Sequence, residues 1–157
     1  MSTAVKPSLR AVCENDQPFL YQLYASTRES ELSLTGWTDA QKHAFLQMQF
    51  KVQTSYYNEH FVAASFNLVI LDDEAIGRLY VYRQRDEIKI IDIALLPNYC
   101  RRGIGGGLLR NLIAEATQKS LPLRIHVEQN NPALNLYQRL GFKQAGTNGL
   151  YYLMEVR

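Results

Sequence analysis

The run Asn98-Tyr-Cys-Arg-Arg-Gly-Ile-Gly-Gly-Gly-Leu-Leu-Arg-Asn-Leu112 sets Arg101 and Arg102, then glycines at 103, 105, 106 and 107, directly before an amphipathic segment. Residues of these types in this order hold anions. Backbone N–H groups at a helix N-terminus have no intrahelical acceptor, and the helix dipole favours negative charge there. Glycines remove the side chains that would keep a phosphate off the backbone, and arginines add charge-assisted contacts. Pyrophosphate is the natural guest. The same residues would also serve a tight strand-to-helix turn with no ligand, so the surroundings of the loop have to decide.

Two phosphate loops fail the test of spacing. A GxxxxGK[ST] loop needs a Gly-Lys pair, and the chain has none. A dinucleotide fingerprint needs GxGxxG after the first strand of a parallel sheet, whereas Gly103-Ile-Gly105 comes late and Leu108 stands where the last glycine or alanine belongs.

The elements that must position the loop follow from periodicity. Leu9 to Cys13 reads as a strand, and Asn15-Asp16 caps a helix carrying Phe19, Leu20, Leu23 and Tyr24 and ending near Arg28. A polar loop from Ser30 to Gly36 leads to Thr38-Asp-Ala-Gln41, a capping box that opens a second helix with Phe45, Met48 and Val52 inward and a stop near Asn58. Leu68 to Leu71, Ile76 to Arg83 and Ile88 to Leu95 form an antiparallel meander. Ile104 to about Ser120 is a helix with Ile104, Leu108, Leu109, Leu112, Ile113 and Ala116 on one side, followed by a strand from Leu123 to Val127. Pro132 opens a short helix that Gly141 ends, and strands Lys143–Thr147 and Leu150–Val156 close a hairpin through Asn148-Gly149.

Composition bounds the function classes. A chain of 157 residues, 46% hydrophobic and 20% charged, fits one globular domain over residues 1–157. A net charge of +2 gives no general support to a nucleic-acid or membrane surface. Cys13 and Cys100 lie far apart without a CxxC partner, so neither a disulfide framework nor a metal site is expected, and reduced cytoplasm is the natural setting. Met1 to Pro7 carries no apolar signal core, and the apolar stretch Phe61 to Leu71 is short and interrupted.

The sequence resembles the GNAT superfamily of N-acetyltransferases over nearly its whole length. That family shows a strand, a Pro-containing turn and a [Q/R]xxGx[G/A] loop leading into a helix. Here these are Ile91-Asp-Ile-Ala-Leu-Leu-Pro97, Cys100-Arg-Arg-Gly-Ile-Gly105 and Gly106-Gly-Leu-Leu109. A second signature matches Leu123-Arg-Ile-His-Val127, Asn130-Asn-Pro-Ala133 and Leu136-Tyr-Gln-Arg-Leu-Gly-Phe142. One position departs: Cys100 replaces the usual Gln or Arg, so ordering of the loop is expected from Arg101 or Arg102.

The resemblance implies an α/β fold of the α+β type, a mixed sheet of six or seven strands flanked by about four helices. It implies acetyl-CoA as acyl donor, no metal, and direct transfer to a primary amine of a small molecule or a protein. The pyrophosphate would lie on Arg102, Gly103, Ile104, Gly105 and Gly106, with Cys100 and Arg101 in the loop. The pantetheine would pair with the strand edge at Ile93, Ala94 and Leu95, a backbone N–H near Leu95 would polarise the thioester carbonyl, and the strand at 123–127 would splay away. Either Asn130 or Asn131 matches the asparagine beside the pantetheine arm. Tyr137 aligns with the tyrosine that protonates the departing thiolate, although a tyrosine on an apolar helical face most often only packs.

An ammonium acceptor must lose a proton, and Asp92 and Glu128 are the favoured bases, with Glu87 and the Glu29/Glu31 pair in the interhelical loop as further candidates. His126 reads as a hydrogen-bonded structural residue. Acceptor choice is expected between Thr27 and His60, from Glu29, Glu31, Trp37, Tyr56 and Tyr57, with Tyr80 and Tyr82 lining the central strand. Solvated glutamates and a Trp37 that seals the core edge are the simpler roles. Cys100 has no histidine partner for a thioester intermediate. A non-catalytic acyl-CoA sensor and an enzyme acetylating a protein N-terminus or aminoacyl-tRNA are the rival readings, and the closing hairpin leaves a homodimer open.

Overall fold

A computed structural model of the chain describes residues 6–157; the segment Met1–Val5 that bears on the missing signal core lies outside them. Strand β1 (Ser8–Ala11) is followed by helix α1 (Gln17–Leu32), helix α2 (Asp39–His60), strands β2 (Ser65–Leu71), β3 (Glu74–Arg83) and β4 (Ile88–Leu95), helix α3 (Ile104–Gln118), strand β5 (Leu123–Glu128), helix α4 (Leu134–Arg139) and strands β6 (Lys143–Asn148) and β7 (Tyr151–Val156). The strands form one sheet in the order β1-β2-β3-β4-β5-β7-β6. Every pairing is antiparallel except that of β4 with β5. The expected mixed sheet of seven strands with four helices is therefore what the chain forms.

The one parallel pairing matters most. β4 and β5 share only the register Ile88↔Leu123, Lys89↔Arg124 and Ile90↔Ile125, and then part. At the same level β4 carries a bulge: Tyr80 faces Asp92 while Val81 faces Ile90, which leaves Ile91 as the extra residue. The bulge keeps Ile88, Ile90, Ile93 and Leu95 on one face and sets Lys89, Asp92 and Ala94 on the other.

On the first face α3 packs Leu108, Leu109, Leu112 and Ala116 against Ile88, Ile90, Leu123, Ile125 and Val127, joined by Tyr137 and Phe142 at α4. Each such leucine contributes about 1.5–3 kcal/mol by leaving water. Gly77 faces Leu95 across the β3/β4 ladder, and a Cβ there would collide with the Ala94 carbonyl, so only glycine lets the strands approach at the point where the site begins.

α1 and α2 cover the opposite face. α1 continues one turn beyond the expected end near Arg28, because Leu32 supplies a buried anchor with Tyr24 and Leu46 after three polar residues that hid it. Glu29 and Glu31 consequently lie in the last turns of a helix, not in a loop, and Glu31 pairs with Arg28 at 3.0 Å. The capping box forms as expected: Gln41 N–H donates to Thr38 Oγ1 at 3.2 Å and Thr38 N–H to Gln41 Oε1 at 2.9 Å. The inward face of α2 differs from the expectation. Met48 and Val52 are 53% and 61% exposed, and the helix turns Phe45, Leu46 and Phe50 toward α1 and Gln53 and Tyr57 toward β3 and β4. Hydrophobicity alone picked the wrong stripe, since two of the inward residues are polar. In the closing hairpin Asn148 pairs with Tyr151, so the turn is Gly149-Leu150 in place of Asn148-Gly149.

Two carboxylates tie elements together at the periphery. Asp16 accepts from both Nη atoms of Arg10 and from Cys13 N–H, and the hydrogen bond from Arg10 holds its carboxyl at about 2. Glu115 on α3 accepts from Arg83 Nε at 2.6 Å and Nη2 at 3.0 Å, which likewise holds it at about 2. Both folded-state values are depressed, so the stability they contribute is present above the ordinary carboxylate range and is lost as the pH falls toward 2. Denaturation midpoints should be level above about pH 5 and decline below it. The decline should be shallower in an Asp16→Asn/Glu115→Gln variant, and an equal slope would show that these pairs do not matter.

Candidate acyl-donor site and the cleft behind it

In the loop between β4 and α3, Gly103 takes φ 80°, a left-handed conformation suited to glycine, as the N-cap of α3. No side chain caps this end. The first helical hydrogen bond runs from Gly107 N–H to Gly103 O, so among the described residues the N–H groups of Ile104, Gly105 and Gly106 have no backbone acceptor. Gly105 and Gly106 open into a trough of about 1370 Å³. Its walls are Ile93, Ala94 and Leu95 of β4, Cys100, Arg101, Gly103, Gly105, Gly106, Leu109 and Arg110 of the loop and α3, and, around α4, Pro132, Ala133 and residues 135–140.

Of the residues expected to hold the donor, Ile93, Ala94, Leu95, Cys100, Arg101, Gly103, Gly105, Gly106 and Tyr137 line this trough. The others do not. Ile104 packs into the core, and the Arg102 guanidinium lies over the Tyr99 ring at 5.3 Å. Asn131 Oδ1 accepts from Ala133 N–H at 2.9 Å and so caps the start of the α4 region, and neither it nor Asn130 reaches the wall, where Asn135 stands. Two side chains contact the loop from within: Arg102 through the Tyr99 ring, and the Cys100 thiol, which lies 3.6 Å from the carbonyls of Leu95 and Leu96. Sequence reasoning also missed Arg110, whose guanidinium folds back to within 3.5 Å of where a Cβ on Gly106 would be. A basic residue one turn inside a glycine-opened helix was the available signal.

The site residues fit a pyrophosphate-bearing thioester. The free N–H groups and dipole of α3 face the trough beside Arg101 and Arg110, and the β4 edge beyond Ile90 has no ladder partner on the β5 side. Tyr137 is 5% exposed and packs edge-on against Phe142. Burial, with the Asp92 charge adding to it, pushes its phenol up to about 12, so it stays protonated.

Behind the parted strands lies a buried charge network. Arg78, 4% exposed, donates through Nη2 to Asp92 Oδ2 and to Gln53 Oε1, and Tyr57 OH donates to the same Asp92 oxygen at 3.1 Å. Burial first, then the Asp92 charge, drives the Tyr57 phenol far up, so it too remains a donor. Asp92 is thus held by two donors, Arg78 and Tyr57, and Glu87 is likewise held, by Arg124 Nη1 at 2.7 Å. Glu128 has no ion-pair partner among the described residues. Tyr80 is buried under Arg78 and beside Phe66, and Trp37 sits edge-on to Phe45 at 5.3 Å. Glu29, Glu31, Trp37 and Tyr80 do not line the trough.

Removing Asp92 would strand a buried guanidinium. Asp92→Ala should cost about 3–5 kcal/mol of stability by urea denaturation, while a paired Arg78→Met/Asp92→Leu change should cost less. A neutral single variant would exclude a structural role for the pair.

Comparison with known proteins places this geometry. The model of the acetyltransferase (GNAT) family matches residues 18–142. The [ribosomal protein bS18]-alanine N-acetyltransferase of Haemophilus influenzae is 32% identical over 85 residues, 54% of this chain and 58% of that protein. Its Escherichia coli K12 counterpart is 38% identical over 69 residues, 43% and 47% of the two chains. The chain thus spans about half the length of the curated relatives it matches. The crystal structure of the PaiA N-acetyltransferase from Thermoplasma acidophilum in complex with coenzyme A shares the fold with a TM-score of 0.72 at 18% identity, over 100% of this chain and 99% of that one.

Proposed function

The chain belongs to the acetyltransferase (GNAT) family, and from that premise we propose that it transfers the acetyl group of acetyl-CoA directly to a primary amine, an α-amino group at a protein N-terminus being the favoured acceptor. The observation that carries the reading is the uncapped N-terminus of α3 opening into the same trough that ends where β4 and β5 part. Phosphates neutralise the helix end, the unpaired β4 edge accepts the amides of the donor's arm, and the thioester enters the gap. The acceptor class is supported by the curated relatives, which are named for acetylation of the bS18 alanine and, in Sulfurisphaera tokodaii, as an N-alpha-acetyltransferase.

Tyr137 is the proposed acid. Its phenol is protonated throughout the working range, lines the trough and has no hydrogen-bond partner among the described residues, so it is free to give its proton to the leaving sulfur. Asp92 and Glu128 remain in this reading as charges on the acceptor side; Asp92 acts through its ion pair, as an anion next to the gap.

Titration calorimetry tests the donor. Acetyl-CoA should bind with a Kd of order micromolar, and Gly105→Glu should abolish binding by putting a carboxylate among the N–H groups. A Cβ at Gly105 meets only Leu95 Cδ1 at 3.8 Å, so this variant keeps its fold, and absence of binding by the wild type would end the proposal. Tyr137→Phe should lower kcat by about 10²–10⁴ with donor affinity unchanged; unaltered kcat would leave Tyr137 a packing residue.

A further inference from the structure

A second cavity, of about 170 Å³, lies between the helix layer and the sheet and shares no lining residue with the donor trough. α2 presents Phe50, Thr54, Tyr57 and Asn58 to it, spaced i, i+4, i+7 and i+8 on one helix face, and α1 presents Gln17 and Leu20. The small Thr54 between Phe50 and Tyr57 leaves the space. The sheet contributes Phe66 of β2 and Arg78 and Tyr80 of β3, and nothing from β4. Gln17 and Asn58 are exposed while Arg78 and Tyr80 are buried, so the cavity has its mouth at the helices and its floor on β3.

The floor lacks an acceptor. Arg78 Nη2 donates to Asp92 and Gln53, but Nε is buried without a hydrogen-bond partner among the described residues, and a donor left so costs its full desolvation. Tyr57 gives its proton to Asp92. Burial raises both the Tyr57 and the Tyr80 phenol, with Arg78 opposing, so neither supplies an anion near neutrality. Arg78 and Asp92 already cancel in charge. A carboxylate on this floor would therefore leave net negative charge beside Asp92, and an ammonium would face the guanidinium. A neutral oxygen acceptor meets neither penalty.

The walls select the rest of the ligand. Phe50, Tyr57, Phe66 and Tyr80 surround the space with rings, Tyr80 standing edge-on to Phe66 at 4.8 Å and to Tyr57 at 5.9 Å, an arrangement that suits one more ring. An apolar cavity of roughly 150 Å³ takes one benzene, so about 170 Å³ limits the occupant to a single ring with a small substituent.

We propose that this cavity is a second small-molecule site, for a neutral single-ring aromatic compound whose carbonyl oxygen accepts from Arg78 and whose ring lies among those four side chains. Because the same guanidinium holds Asp92, the ligand sits one side chain away from the gap while the donor trough stays open.

The test is backbone-amide NMR titration of the whole chain with benzamide, and in parallel with benzoate, benzylamine and toluene. Benzamide should shift the amides of Thr54, Asn58, Phe66 and Tyr80 saturably, with a Kd of order millimolar or tighter, and the two charged probes should bind more weakly. Thr54→Phe, which fills the space, should abolish these shifts while its spectrum stays that of the folded chain. Arg78→Met/Asp92→Leu should weaken benzamide by about tenfold or more and leave toluene unaffected, because only the donor has gone. No saturable shift in the wild type up to about 10 mM benzamide would mean that the cavity holds water only and would overturn the proposal. Tighter binding of benzoate than of benzamide would overturn the neutral class. Shifts confined to Gly105 and Gly106, or benzamide binding that survives Thr54→Phe, would place the probe elsewhere and end the assignment.

Discussion

The whole site depends on one interruption of hydrogen bonding. A parallel pair of strands in the middle of a sheet normally continues for its length, because each unpaired backbone group that stays buried costs free energy. Here β4 and β5 pair over three residues and then separate. Two features hold β4 in place without its neighbour. The bulge at Ile91 twists the strand, and the Arg78–Asp92 ion pair, backed by Gln53 and Tyr57 of α2, ties the far half of β4 to β3 and to the helix layer. Burying those charges is expensive, and a well-packed apolar pair would do as well for stability alone. What the pair adds is a fixed position and a fixed negative charge beside an open edge.

The sheet then separates two kinds of chemistry. On the α3 face the chain presents backbone donors, a helix dipole and arginines, all suited to a large anion whatever the pH. On the α1/α2 face it presents titratable side chains around the gap. This division explains how a chain with a net charge of only +2 builds an anion site: the positive potential comes from backbone geometry at one helix end, not from accumulated basic residues.

The sequence was legible where local chemistry alone determines structure. The glycine loop, the Thr38 capping box and the apolar stripe of α3 are each specified by residues within a few positions of one another, and all appear in the structure. It was less legible where a partner distant in sequence decides. α2 turns Gln53 and Tyr57 inward to meet Arg78 and Asp92, at separations of 25 and 35 residues, and that demand overrides the more apolar stripe of Met48 and Val52. Cys100 could not be credited with ordering its loop because a thiol reaching two carbonyls leaves no mark in sequence spacing.

The environment of Tyr137 bears on how protons would move in the proposed reaction. Burial, with the Asp92 charge adding to it, raises the phenol to about 12. At neutral pH it therefore carries its proton before any substrate arrives, and a departing thiolate would be met by a donor already in place. An exposed phenol would not need that protection, but it would also be solvated by water that competes for the thioester. Asp92 ties the two faces of the sheet together. Its charge adds to the rise at Tyr137, and its carboxylate is held in place by Arg78 of the neighbouring strand.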